Sequence, residues 1–311
     1  MDRSQFYYSN GKLLITAEYL VLKGALSLGV PTQYGQSLAV HPNADEGLIW
    51  QAYENDIEWL NFKLSKEEVM GANQDLSEEK KFIAELLRQA LSMNPDFLDG
   101  ANFRLETHLN FRRDWGLGSS STLINNVAQW AKVDAFDLLA RVSKASGYDI
   151  ACAQSNTPIL FQKVNDKIWT EACIFSPEFK NQIYFLYLGK KQKSEDEVKR
   201  FLAQGRDYSL EIQEISNLSL HLLDTESAIE FDKIIGEHEA ITSNFLGLPS
   251  IKKLAFSDFE GSIKSLGAWG GDFAMVRSDW DKNILTNYFK SKGLNTLIPW
   301  DNMVLEDESD L

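Results

Sequence analysis

Glycine and serine are concentrated at one place that can do chemistry, Gly116-Leu117-Gly118-Ser119-Ser120-Ser121. It stands directly ahead of a run in which Leu123, Ile124, Val127, Ala128 and Ala131 recur at helical spacing. Glycine lets the backbone approach a ligand closely, the first N–H groups of a helix lack internal partners, and the helix dipole favours an anion at that end. The chemistry this suits is phosphate binding, to which the serine hydroxyls can add a metal contact. It is not a Walker A loop, because the Gly-x-x-x-x-Gly-Lys-Ser/Thr spacing is absent. On pattern alone, a serine-capped helix after a flexible turn accounts for the same residues.

No other residue set competes with it. Cys152 and Cys173 have no metal-ligand spacing and read as small buried hydrophobes. His41, His108, His221 and His238 are scattered and carry no assigned chemistry. With 31 Lys plus Arg against 45 Asp plus Glu the formal net charge is −14, which argues against a nucleic-acid partner because counterion release needs a basic face. At 44% hydrophobic and 24% charged the 311 residues suit an ordinary globular protein, and their number suggests two domains. No apolar stretch approaches a membrane span, since even residues 13–22 contain Glu18. The first residues, Met1-Asp2-Arg3-Ser4-Gln5-Phe6, lack the pattern of a secretory signal, so a soluble, cytoplasmic protein with no membrane partner is expected.

The elements around the loop follow from periodicity. Residues 47–53 and 57–62 flank Glu54-Asn55-Asp56 as a hairpin, and a helix is predicted from about Ser77 to a loop at Asn94-Pro95. Phe103, Leu105, Thr107, Leu109 and Phe111 alternate with polar residues as the clearest strand, so the order is strand, Gly/Ser loop, helix. Further on come a strand at 183–188, a helix opened by a capping box at Ser194-Glu195-Asp196-Glu197, helical patterns through Phe245, a strand at 273–276 and a helix over 281–292. Strands and helices intermix without βαβ regularity, which favours an α+β fold, with a domain boundary placed near Phe175-Ser176-Pro177. The acidic tail at 306–311 is expected to fray.

The loop resembles the glycine-serine phosphate loop of the GHMP kinase superfamily, and two further segments match in order. Gly11-Lys12-Leu13-Leu14-Ile15-Thr16-Ala17-Glu18-Tyr19-Leu20-Val21-Leu22 is similar to that family's opening motif, and Gly267-Ala268-Trp269-Gly270-Gly271-Asp272 to its glycine-rich third motif. Gly147-Tyr148-Asp149-Ile150-Ala151 stands where the mevalonate-pathway members carry a catalytic aspartate. The resemblance implies a two-domain fold: residues 1–175 as an ATP-binding domain of the ribosomal protein S5 domain 2-like type, and 176–311 as a ferredoxin-like C-terminal kinase domain. It implies ATP and Mg²⁺ as cofactors. Asp149 would accept the proton of the substrate hydroxyl and Lys12 would stabilise charge on the transferring phosphoryl group. Gly116, Leu117, Gly118, Ser119, Ser120 and Ser121 would bind the nucleotide phosphates, with Ser120 the Mg²⁺-side hydroxyl and Ser119 and Ser121 donating to phosphates. Gly267, Gly270 and Gly271 would form a second phosphate-side loop. Read as residues alone, Asp149 also serves as a helix cap, Lys12 as a solvated lysine and the glycines as an ordinary turn.

Three features lean toward the phosphomevalonate kinase branch: Glu18-Tyr19, Asp149-Ile150-Ala151 and Asp272. A substrate already bearing a phosphate needs basic groups, for which Lys12, Arg112, Arg113 and Lys144 are candidates. Mevalonate 5-phosphate or mevalonate is therefore the expected small-molecule partner. Gly189-Lys190-Lys191-Gln192-Lys193-Ser194 is similar to a segment that begins the family's second domain, or is a solvated basic turn. The sequence departs from the family in having no Gly-Gly pair after Asp149, where it runs Ala153-Gln154-Ser155-Asn156-Thr157-Pro158, and in two further respects: Trp269 occupies a place where the family usually has glycine, and the metal-side carboxylate of mevalonate kinase falls near Leu138, with Asp137 adjacent. The latter two motivate the alternative of a nucleotide- or metabolite-binding sensor that kept the fold without turnover. A decarboxylase of the same superfamily fits less well, because the serine-rich stretch and arginine of its catalytic segment are missing from 147–151.

Overall fold

The computed structural model describes residues 4–71, 76–98, 102–189, 194–267 and 269–307. In chain order the strands and helices begin with β1 (Gln5–Leu14), β2 (Ser27–Pro42), β3 (Leu48–Glu54), β4 (Ile57–Leu64), α1 (Lys66–Val69), α2 (Glu78–Met93) and β5 (Phe103–Leu109). They continue with α3 (Ser119–Ala131), α4 (Ala135–Val142), α5 (Tyr148–Gln154), β6 (Ile159–Val164), β7 (Lys167–Ala172) and β8 (Ile183–Tyr187). The remainder are α6 (Ser194–Leu202), α7 (Ser209–Leu223), α8 (Ala228–Leu246), α9 (Ile251–Ala255), β9 (Ser262–Leu266), β10 (Phe273–Arg277), α10 (Lys282–Ser291), β11 (Leu297–Pro299) and α11 (Trp300–Met303). The chain is α+β, as its mixed periodicity implied.

It divides into two compact units, neither continuous in sequence. The first comprises Met1–Gly11, Tyr34–Arg113 and Leu117–Gln154; the second comprises Lys12–Gln33, Asp114–Gly116 and Ser155–Leu311. A single cut after residue 175 does not describe this division, because 12–33, 114–116 and 155–175 make their contacts with the C-terminal half. The long strand β2 crosses from one unit to the other, and a hydropathy pattern read along the chain has no means of registering that.

In the first unit β3 pairs antiparallel with β4 and parallel with β5, and β5 pairs antiparallel with the 36–42 part of β2. The β3–β4 hairpin turns on Asn55 and Asp56 at φ 46° and 65°, both positive as a two-residue primed turn requires. Alternate residues Leu48, Trp50 and Ala52 of β3 and Leu105 of β5 point inward. There they join Leu86 and Leu87 of α2, Ile124 and Val127 of α3 and Leu138 of α4 in one core. The predicted helix after Ser77 is present, with the Ser77 hydroxyl accepting from Lys80 N–H at 3.3 Å.

In the second unit β8, β9, β10 and β11 form an antiparallel sheet in the order β11-β8-β10-β9. Numbered by chain order that is 4-1-3-2, with helices between the first and second strands and between the third and fourth, a ferredoxin-like arrangement. Every residue of β8, β9 and β10 is buried, which is why 183–188 reads as a continuous apolar run rather than an alternation. One face, with Tyr184, Leu186, Ala274, Val276 and Ile263, packs on α9 and α10. The sequence reading missed the β6–β7 hairpin here, although Asn165-Asp166, at φ 50° and 60°, repeats the Asn-Asp turn of the first unit.

The tail begins tied down: Glu306 accepts from Trp300 Nε1 at 2.6 Å and Lys180 Nζ at 2.8 Å, and Asp307 N–H donates to the Asn156 carbonyl at 3.0 Å. Residues 308–311, the basic run at 190–193 and Ala268 lie outside the described residues, as do the side chains of the capping box expected at Ser194 and Glu197.

Candidate phosphoryl-transfer site

In the first unit α3 follows the loop as the pattern implies, but it starts at Ser119, so the three serines form its first turn rather than a loop or cap ahead of it. Its N-cap, Gly118, is left-handed at φ 92° and supplies no side-chain cap. The opening N–H groups of a 13-residue helix are thus left without a side-chain acceptor of the kind serine usually provides. Ser120 is exposed beside them and Ser119 half-buried. Ser121 is buried and its hydroxyl donates to the Gly118 carbonyl at 2.8 Å, so it closes the turn.

The buried side of α3 carries polar residues. Thr122 Oγ1 donates to Gln36 Oε1 at 2.7 Å, and Asn126 Nδ2 to the Gln36 carbonyl at 2.9 Å. Ser9 Oγ donates to Asn126 Oδ1 at 2.7 Å, Asn125 Nδ2 to Ser9 Oγ at 2.8 Å, and Gln154 Nε2 to Asn125 Oδ1 at 2.9 Å. This chain of bonds fixes α3 against β1 and β2 and joins it to the end of α5. Asp149 lies in the first turn of α5, half-buried, after Gly147 at φ 103°. The sequence reading missed this network; its signal was three polar residues, Thr122, Asn125 and Asn126, inside an apolar helical pattern.

In the second unit Lys12 Nζ donates to the Gly116 carbonyl at 2.9 Å. Gly116 is left-handed at φ 68°, and a Cβ there would lie 2.4 Å from Asp272 Oδ2. Gly267, at φ 77°, faces the same oxygen more loosely, its Cβ position being 3.4 Å away. The opening motif, the first glycine of the loop and the third motif therefore meet in this unit, whereas Leu117, Gly118, Ser119, Ser120, Ser121 and Asp149 belong to the other. Gly116→Ala is expected to lower stability by about 1–3 kcal/mol, from the left-handed backbone and the displaced carboxylate, as a shift of the urea midpoint.

Trp269 is 6% exposed. Its indole N–H donates to the Pro249 carbonyl at 3.1 Å and its backbone N–H to the Tyr19 hydroxyl at 2.9 Å. The ring is thus packed into the second unit as a structural anchor of the turn. The position near Leu138 offers no metal ligand: Leu138 is fully buried in the core and Asp137 is exposed on α4. Among the described residues no group of three or more His, Cys, Asp or Glu is placed to hold a metal ion. The exposed Ser120 hydroxyl is a side-chain oxygen that the turn offers a Mg²⁺ ion.

A buried charged cluster in the second unit was not foreseen. Glu18, from the opening motif, pairs through Oε1 with Lys264 Nζ of β9, and Lys264 also donates to the Ser265 carbonyl at 3.0 Å. His238 of α8 accepts the Ala17 N–H through Nε2 at 2.9 Å, so its proton sits on Nδ1, which faces Thr242 Oγ1 at 3.5 Å. Glu239 is buried beside them, and neither of its carboxyl oxygens makes a hydrogen bond. The signal available was the recurrence of ionisable residues inside apolar stretches, which a single sequence cannot join across 246 positions.

Burial holds the Glu18 carboxyl above its ordinary range against the opposing pull of Lys264, and burial together with Lys264 holds the His238 imidazole well below its own. Burial pushes Glu239 up to about 8, with Lys264 opposing and Glu18 adding to the rise. Between the ordinary glutamate value and about 8 the folded state therefore keeps a proton that the unfolded chain has released, so stability falls as pH rises through that window. His238 tilts stability the other way only below its ordinary value near 6.5. Glu239→Gln is accordingly expected to flatten the fall in unfolding free energy between about pH 6.5 and 8 by roughly 2 kcal/mol, read from urea titrations across that range.

No family model matches this chain, and no curated protein matches it in sequence. Solved structures do. The Methanococcus jannaschii mevalonate kinase superposes with a TM-score of 0.73 at 14% identity, over 98% of this chain and 99% of that one. A Streptococcus pneumoniae phosphomevalonate kinase in complex with phosphomevalonate and AMPPNP gives 0.67 at 16% identity, over 95% and 99%. The Lactococcus lactis galactokinase complexed with galactose gives 0.63 at 11% identity, over 98% and 94%.

Proposed function

We propose, from the GHMP kinase fold that this chain adopts, that it is an ATP-dependent small-molecule kinase whose acceptor is mevalonate 5-phosphate or mevalonate. The observation that carries the reading is the pairing within the first unit of α3, a helix whose N-terminus no side chain caps, with α5, which bears Asp149 in its first turn. The N–H groups at the start of α3 and the Gly116-to-Ser121 turn bind the nucleotide phosphates. Asp149 takes the proton of the acceptor hydroxyl as that oxygen attacks, and the ammonium of Lys12 stabilises negative charge on the transferring group. Gly267, Gly270 and Gly271 supply a second backbone surface toward the phosphates. Mg²⁺ bound to the nucleotide, with the Ser120 hydroxyl beside it, supplies charge neutralisation.

Glu18-Tyr19, Asp149-Ile150-Ala151 and Asp272 support the phosphorylated acceptor. Of the basic groups suggested for it, Arg113 is engaged elsewhere: its Nε donates to Glu54 Oε2 at 3.1 Å and its guanidinium lies 3.6 Å from the centre of the Trp59 ring. The domain roles, ATP-binding for 1–175 and C-terminal kinase domain for 176–311, belong to the same reading, as does a cytoplasmic site of action. No helix among the described residues is long and apolar enough to cross a membrane.

The test is ADP release in a coupled assay with ATP and Mg²⁺, comparing mevalonate, mevalonate 5-phosphate and no acceptor. Turnover with the phosphorylated acceptor alone is the expected result. Turnover with mevalonate alone keeps the mechanism and changes the branch. Tight ATP binding with no acceptor-dependent turnover favours the sensor instead.

A further inference from the structure

β7 is the terminal strand of its sheet: it pairs with β6 on one side, and no described strand pairs with it on the other. The Cys173 N–H donates to the Pro158 carbonyl at 2.8 Å in register with β6. By the alternation of antiparallel ladders, residues 167, 169 and 171 then also turn their backbone groups toward β6, and Ile168, Thr170 and Ala172 turn theirs outward. Both faces of the hairpin end are solvated. Trp169 is 45% and Val164 48% exposed, and with Gln162, Asn165 and Lys167 they line an open pocket of about 370 Å³.

We propose that this edge is a homodimer surface, on which β7 pairs antiparallel with β7 of a second copy about a two-fold axis through Trp169. A two-fold axis normal to the sheet keeps each residue on its own face, so only registers that pair residues of like parity are allowed. Of these, the register centred on Trp169 places Lys167 opposite the second copy's Glu171, twice by symmetry, and Trp169 opposite its counterpart. Registers centred one residue away set Trp169 against Glu171 or Lys167 against Trp169 and lose the charge match. In the chosen register the outward backbone groups of 168 and 170 pair with those of 170 and 168 of the second copy and make the new ladder. The Lys–Glu and Trp–Trp positions then fall on the non-hydrogen-bonded pairs, where opposing side chains approach most closely. The open pocket beside Trp169 lies on the same face and receives the partner ring. The occupant is a second copy of this chain because one strand carries both members of each complementary pair.

The test is light scattering and analytical ultracentrifugation of the full chain, with circular dichroism to confirm folding. The expected mass is twice 35.3 kDa. Thr170→Pro removes an outward N–H without touching the β6 ladder and is expected to give a folded monomer. Lys167→Glu sets like charges opposite one another at both pairs and should weaken the dimer by about tenfold or more, whereas Lys167→Glu with Glu171→Lys restores the match and the association. A monomeric wild type, a dimer indifferent to Thr170→Pro, or a double exchange that fails to restore association would each overturn the proposal.

Discussion

Asp149→Asn is expected to lower acceptor-dependent ADP release by about 10²- to 10⁴-fold, the usual contribution of a positioned general base, while leaving ATP binding nearly unchanged. The substitution is close to isosteric. Asp149 Oδ1 accepts from the Ile150 N–H at 3.1 Å, a bond that an asparagine oxygen can also make, and α5 stays anchored to α3 through Gln154 and Asn125. The fold should therefore survive, which circular dichroism and an unchanged urea midpoint would establish. What asparagine lacks is the basicity to take a hydroxyl proton. A variant that kept its shape and its ATP affinity and turned over at the wild-type rate would remove Asp149 from the mechanism.

Lys264→Met should strongly destabilise the second unit, costing about 3–5 kcal/mol, because it leaves the Glu18 carboxylate buried without its cation. Lys264 is fully buried and Glu18 1% exposed, so water cannot take over the lost partner. The sign of the pH dependence follows from burial: without Lys264 the Glu18 carboxyl rises further, so the loss should shrink as pH falls and the carboxyl becomes neutral. Glu18→Gln added to Lys264→Met should recover much of the stability, since removing both charges leaves none stranded. Equal losses in the single and double variants at neutral pH would show that packing of the lysine stem, not the ion pair, matters at this position. The position bears on the site as well, because Glu18 neighbours Tyr19, whose hydroxyl accepts from the Trp269 N–H in the glycine-rich turn.

Sequence periodicity located the elements that satisfy it locally. The β3–β4 hairpin, α2 with its Ser77 cap, β5, α3, β8, β10 and α10 each bury one face or form a continuous apolar run, so their patterns survive in a single sequence. β2 did not announce itself. It runs 16 residues through Pro31, Gly29 and Gly35, and Gly35 is there because a Cβ would lie 2.4 Å from the Tyr8 hydroxyl and 2.5 Å from the Ser9 carbonyl of β1. A glycine required by a neighbouring strand looks, in one dimension, like a turn. The local geometry of the candidate site was legible in part for the same reason. Gly116 to Ser121 and Asp149 sit at local strand-to-helix and loop-to-helix junctions, whose backbone needs are written in adjacent residues.

By itself, then, the sequence determined the α+β class, the presence of a helix after the glycine-serine segment, the acidic net charge, and the three glycine-bearing segments on which the kinase resemblance rests. Only the tertiary structure decided that Gly116 must be glycine to admit the Asp272 carboxylate and that the Trp269 ring anchors its turn. It also decided that Glu18, Lys264, His238 and Glu239 share one buried cluster. The physical reason is common to all three. Hydrophobic periodicity is a property of neighbouring residues, whereas close approach, desolvation and charge pairing depend on which distant segments the fold brings together.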